Sequence, residues 1–436
     1  MNDRVTDLTT LIDPFAGHAR SWFVLVSLCF AVACLLPIAA TYTVLTGIGT
    51  WGDNIPVGWG FAIVQFVWWV GIGHAGTFLS AILLVADQRW RAPLHRIAES
   101  MTLFAVLMAA IFPLLHMGRS WFFYWTIPYP ATYEVWPQFG SALTWDVAAI
   151  LTYLTVSILF FYVGLLPDLA SRRDHTRWPW SIPYALACFG WRGSARHWEY
   201  HGSVQRVLSG IATPLVISVH SIVSLDFATT ILPGWHSPIF PPYFVAGAIS
   251  SGLAMVAVIV IPLRSWLGMQ KTITGDHLDR LGALLLAAGW VVIASYACEH
   301  LSALASGDVI EHRMLFHTRP FGPHAPLYWI TVFGNVIALQ ALWFRSVRRS
   351  PVLLSAVSVA VAVAMWTERA VLILTSQEQD FLPSSWRMFL PSPVDAALLA
   401  GTLGTFALLL LLLFRVIPFV AIADLEKDER EQVLHA

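Results

Sequence analysis

The sequence predicts an all-α polytopic membrane protein with about ten transmembrane helices, and three observations carry that expectation. Hydrophobic residues make up 57% of the 436 and charged ones only 12%, whereas a soluble domain needs about a quarter charged to cover its surface. Ten segments reach the roughly twenty apolar residues that cross a bilayer as a helix: 22–46, 58–86, 96–117, 144–166, 206–227, 242–263, 280–303, 325–344, 351–373 and 393–420. Lysine and arginine then alternate between the connections, which orients such a bundle. The net charge of −1 says nothing about class, because placement matters and the sum does not.

In order, span 1 follows a polar segment containing Arg4 and Arg20 and is too long for a signal-peptide core, so it reads as retained. Arg89, Arg91 and Arg96 follow span 2, and span 3 carries Glu99 before ending in HMGRSWFFYW, residues 116–125. Arg172, Arg173, Arg177, Arg192 and Arg196 in the connection 167–205, and Arg206 directly after it, follow span 4, and span 5 is the weakest by hydropathy. Arg264, Lys271 and Arg280 follow span 6; Arg345, Arg348 and Arg349 follow span 8; Arg415, Lys427 and Arg430 close the chain. Twenty basic residues thus share one side with both termini, while the other side has Arg119, Arg313, Arg319 and Arg387, and Arg369 lies inside span 9. The positive-inside rule makes both termini cytoplasmic. The expected organisation is a cytoplasmic segment 1–21, a transmembrane domain 22–422 and a charged cytoplasmic tail 423–436.

Ionisable residues inside spans are costly and are functional candidates. His116 at the end of span 3, Asp146 at the start of span 4 and Asp226 at the end of span 5 fall at the same outer leaflet boundary. His220 lies about 9 Å deeper at the helical rise. A histidine with carboxylates beside aromatics suits a quinol, whose hydroxyls need hydrogen-bond partners and proton acceptors and whose ring needs an apolar slot. A second set comprises His74, Glu99, Glu299, His300, Glu368 and Arg369, open to buried pairing or to a proton path. Adjacent Glu368 and Arg369 cannot share a helix face, so each is expected to find a partner on another helix. Small residues around His74 fit close helix packing. The outer connections, such as WFFYWTIPYPATYEVWPQF at 121–139, are aromatic and proline-rich with little charge, which suggests a surface covered by another subunit.

The runs GIGHAGTFLSAILL, LLHMGRSWFFYW, LTWDVAA, GWRGSARHW, HSIVSLDFA and ILPGWHSPIFPPYFVAGAI resemble the NrfD/polysulfide reductase membrane-subunit family. Within it they are similar to the quinol-binding NrfD-like subunit of alternative complex III. The resemblance implies two four-helix bundles plus two further helices. It implies an outer-side quinol pocket lined by His116, Asp146 and Asp226 beside an iron–sulfur cluster held by a partner; Arg119 and His220, by their positions, are further candidate quinol-binding residues. It implies quinol (menaquinol or ubiquinol) as substrate and c-type haems and clusters carried by partners. Those partners are an iron–sulfur subunit and multihaem cytochrome c subunits on the periplasmic side, a second NrfD-like membrane subunit and a terminal cytochrome oxidase. The expected location is the bacterial cytoplasmic membrane, and nucleic acid is not an expected partner. Cys29, Cys34, Cys188 and Cys298 form neither CxxC nor CxxCH, so the chain offers no cluster ligation or covalent haem attachment of its own, and no metal site is expected. His74, Glu99, Glu299, Glu368 and Arg369 are the candidate proton path. The alternatives are a quinone-reactive anchor of a molybdoenzyme of the polysulfide reductase kind, a b-type cytochrome and a secondary transporter.

Overall fold

The computed structural model describes residues 15–126, 142–380, 382–422 and 424–425. The expected N-terminal segment up to residue 14, the part of the aromatic connection at 127–141 and the tail beyond 425 lie outside them. Ten helices are long and apolar enough to cross a membrane: Ala19–Thr46, Gly60–Val85, His95–His116, Thr144–His175, Ala195–Ala228, Phe240–Trp266, Gly275–Ser306, Ala325–Trp343, Pro351–Glu378 and Pro393–Val416. Each coincides with one expected span, and they are called spans 1 to 10 below.

Several boundaries differ from the expectation, most of all between spans 4 and 5. Spans 4 and 5 run on to His175 and back to Ala195, leaving only 176–194 as connection, with a short helix Ile182–Ala187. An apolar-run criterion sees only the hydrocarbon part of a helix, and these polar turns continue beyond it. Span 10 stops at Val416 because Ile417 is extended, the conformation imposed on a residue preceding proline, here Pro418. Span 1 is interrupted at Cys34, between Ala19–Ala33 and Leu35–Thr46. Pro37 lacks the N–H that would bond the Ala33 carbonyl, so the ladder breaks there.

Spans 2 to 5 pack as one four-helix bundle and spans 6 to 9 as a second. Spans 2 and 6 join the two bundles, and spans 1 and 10 pair with each other at the side. The contact of spans 2 and 3 is backbone-close: a Cβ on Gly76 would lie 2.0 Å from the Ala98 carbonyl oxygen, and Thr102 Oγ1 donates to the Gly73 carbonyl at 2.7 Å. Small residues permit this approach and a bilayer rewards it, because tight packing is what holds helices together in lipid. Helix starts are capped by side chains: Ser392 accepts from Val394 and Asp395 N–H at the head of span 10, and Asp395 returns the bond to Ser392 N–H at 2.8 Å.

Candidate functional site at the His116 end of the first bundle

Asp146 lies in the first turn of span 4 and Asp226 in the last turn of span 5, two antiparallel neighbours, so the carboxyls meet at one end of the bundle. They lie within hydrogen-bonding reach of each other. Asp146 is 1% exposed, and among the described residues neither of its oxygens nor Asp226 Oδ1 has a donor that satisfies it. A fold assembled for stability leaves such groups bonded. A carboxyl pair at this separation can exchange a proton with a ligand.

His116, the last residue of span 3, stands in an aromatic enclosure. Trp59 stacks on its ring at 4.8 Å and 19°, and Trp51, Phe66 and Phe112 close the sides at 6.0, 6.2 and 6.2 Å. The Ala62 backbone carbonyl accepts a hydrogen bond from the ring, while Nε2 has no partner among the described residues, which assigns the proton to Nδ1. Its hydrogen bonds and ring contacts go to these residues and not to either aspartate, so the three residues expected at one depth divide into a joined pair and a separately held histidine. Arg119, one turn on, is exposed.

Deeper in the same bundle, His74 and His220 are in edge-to-face contact at 4.9 Å, and Tyr153 stacks on His74 at 5.0 Å. The Tyr153 hydroxyl donates to the Gly73 carbonyl at 3.0 Å and is 2.5 Å from Thr77 Oγ1. Both nitrogens of His220 and Nε2 of His74 lack partners among the described residues. Direct ring contact leaves no space for a porphyrin between them, so this is not the separation of an axial-ligand pair. Tyr153 is a site neighbour that the sequence reading missed, although it falls seven residues after Asp146, two turns along the same face. At the opposite end, Arg96 donates to Asp168 at 2.9 Å and lies 3.5 Å from Glu99, so Glu99 is a partner in a buried ion group.

The second bundle answers differently. Glu368 accepts from Tyr243 at 2.5 Å and from Tyr296 at 2.8 Å, and Asn335 donates to the Tyr296 hydroxyl at 2.9 Å. Arg369 folds back onto Glu368 at 3.0 Å and lies 4.0 Å over the Phe244 ring. Each thus finds a partner on another helix, as expected, and the two also meet each other, because long side chains bend across the helix surface where Cβ directions diverge. Arg319, in the connection before span 8, pairs with Glu299 at 2.9 Å and donates to the Gly234 carbonyl at 3.0 Å. Tyr243, Tyr296, Glu299, His300, Arg319 and Glu368 line a cavity of about 170 Å³, with polar partners and space for a few waters.

Outside the spans, burial pushes the Asp53 carboxyl up to about 6, with the Trp59 N–H opposing and Asp395 adding to the rise. Neither Asp53, Trp51 nor Trp59 carries a sequence signal: a loop tryptophan beside glycine is ordinary interface composition.

A family profile described as "Polysulphide reductase, NrfD" matches residues 49–379. A selenate reductase subunit of Mesobacillus selenatarsenatis is 21% identical over 376 residues, covering 83% of this chain and 85% of the relative. A putative dimethyl sulfoxide reductase membrane subunit of Halobacterium salinarum is 22% identical over 446 residues, covering 96% and 95%. The profile spans well over half the sequence and includes His74, His116, Asp146, His220 and Asp226, and the chain belongs to the polysulphide reductase NrfD family.

Proposed function

We propose that this chain is the quinol-reactive membrane subunit of a multisubunit oxidoreductase. The observation that carries the reading is the pairing of buried Asp146 with half-buried Asp226, whose oxygens include three without a donor among the described residues, at the end of the bundle where His116 Nε2 also lacks a partner among them. Quinol arrives laterally from the bilayer. Its two hydroxyl protons pass to His116 and to the carboxyl pair, and its two electrons leave one at a time to an iron–sulfur cluster in a partner subunit docked at that end. By the distribution of Lys and Arg, this end faces outward, so the protons are released there.

Both relatives are named as reductase subunits, which favours an anchor delivering quinol electrons to a catalytic reductase subunit over the alternative complex III role. The second reading is supported by the HMGRSWFFYW, LTWDVAA and HSIVSLDFA runs and sends the electrons to c-type haems, toward cytochrome c or an oxidase. For Glu299, Arg319, Glu368 and Arg369 the bonded geometry favours buried pairing over a proton path, whereas His74 and His220 keep nitrogens without a partner among the described residues, available for proton movement.

Purification from native membranes in mild detergent, with identification of what accompanies the chain, tests both. An iron–sulfur subunit with a large reductase subunit supports the first reading, and multihaem cytochromes support the second. A chain that purifies alone and does not quench the fluorescence of the quinol analogue 2-heptyl-4-hydroxyquinoline N-oxide overturns both.

A further inference from the structure

The connection between spans 1 and 2 is tied down over His116 from several directions. Asp395 accepts from Gly52 N–H at 2.9 Å while capping span 10. Asn54 donates to the Met388 carbonyl at 3.2 Å, and Gln377 of span 9 donates to the Gly58 carbonyl at 3.2 Å. The chain then reaches Trp59 in the left-handed region, φ +66°, which a bulky side chain adopts only when its surroundings dictate it. Asp53 Oδ2 accepts the Trp59 N–H at 3.1 Å, and the following Gly60, φ +34°, passes so close to Phe389 that a Cβ would lie 2.2 Å from its ring. The result is an indole laid on the imidazole, with its Nε1–H donated to the His116 carbonyl at 3.1 Å.

We propose that Trp59 is a positioning residue for His116: it fixes the buried imidazole with Nδ1 committed to Ala62 and Nε2 left as the nitrogen that takes a quinol proton, and its ring face stabilises the imidazolium that forms. The proposal rests on the quinol reading above. In the step it serves, a quinol O–H bond breaks as an Nε2–H bond forms, and the electrons leave to the acceptor subunit. A cation within about 6 Å of an indole centroid is attracted by the ring's quadrupole, tryptophan being the strongest of the three aromatic side chains in this respect. Nδ1, bonded to the Ala62 carbonyl, is not available for the same role.

The test is duroquinol turnover by the purified complex, per assembled complex, for Trp59→Phe, Trp59→Leu and His116→Ala. With the imidazolium left unsupported, kcat falls by roughly 3-fold in Trp59→Phe and by roughly 30-fold in Trp59→Leu, with KM little changed. A filler of shape alone predicts reduced yield at unchanged kcat for each assembled complex. Trp59→Met replaces the leucine variant if the latter fails to assemble, and wild-type kcat in Trp59→Phe overturns the proposal if both fail. If His116→Ala is inactive and Trp59→Leu is fully active, Trp59 has no positioning role. If His116→Ala is itself fully active, the quinol reading of His116 falls instead.

Discussion

The His116 end of the first four-helix bundle treats its ionisable side chains differently from the second bundle, although the opposite end of the first holds the bonded Arg96–Asp168–Glu99 group. In the second, the carboxylates of Glu299 and Glu368 both have donors, from Arg319, Tyr243 and Tyr296. In the first, Asp146, Asp226, His74, His116 and His220 all keep atoms without a partner among the described residues. Buried pairs with their bonds made specify how helices fit together, and removing one partner strands the other. Buried groups with bonds unmade have capacity for a ligand or a moving proton. The difference teaches which ionisable residues to read as architecture and which as chemistry, a distinction that residue type and depth alone do not make.

The largest effect that could break this comparison is on stability. Arg319→Ala leaves Glu299 uncompensated and is expected to cost about 3–5 kcal/mol, read as a loss of thermal stability in detergent. Glu299→Gln together with Arg319→Gln should recover part of it in a double-mutant cycle. If Arg319→Ala is as stable as the wild type, the second bundle does not use this pair as structure. Next, Gly76→Ala drives a methyl into the Ala98 carbonyl and Thr102, an overpacking cost of about 1–3 kcal/mol, with a matching drop in melting temperature. Tyr296→Phe removes one bond to Glu368 and one from Asn335, a loss of about 1.5–3 kcal/mol where the acceptor is charged; a cycle with Asn335→Ala would apportion it.

The smallest effect concerns pH. Asp53, ordinarily titrating near 3.8, is raised to about 6 in the fold, so the folded state binds the proton more tightly than the unfolded one. Its contribution to stability is therefore fully present below the unfolded value and is lost as pH rises through about 6. Acidification from pH 7.5 to 5.5 should raise the melting temperature of the wild type relative to Asp53→Asn, in which the buried charge is gone and an acceptor for Trp59 N–H remains. Equal pH dependence in the two would show that Asp53 is not the group responsible.

The ten spans were legible in the sequence because a bilayer enforces one length and one composition, and the helices match the expected segments one for one. Ends were less legible wherever a helix continues past the hydrocarbon, as at His175 and Ala195, or where one proline decides, as at Ile417 and Cys34. Depth along a helix brought Asp146 and Asp226 to one level, and their contact follows from spans 4 and 5 being neighbours. Depth could not show that His116 turns towards Trp59 and Ala62, because rotation about a helix axis is set by packing. Nor could it foresee Glu368 and Arg369 meeting, since a pattern of Cβ directions omits the reach of a long side chain. Trp59 was invisible for a third reason: its φ is held by Asp53 and by loops far away in sequence.

The most direct measurement is duroquinol turnover by the assembled complex in Asp146→Asn and Asp226→Asn, each nearly isosteric and each removing a proton-accepting carboxyl while keeping a group that can hydrogen-bond its neighbour. The account predicts full assembly and normal melting, with turnover reduced by roughly 100-fold in either variant, the size expected for loss of a proton-transfer group. Unchanged turnover in both would contradict it and move the quinol chemistry away from the first bundle.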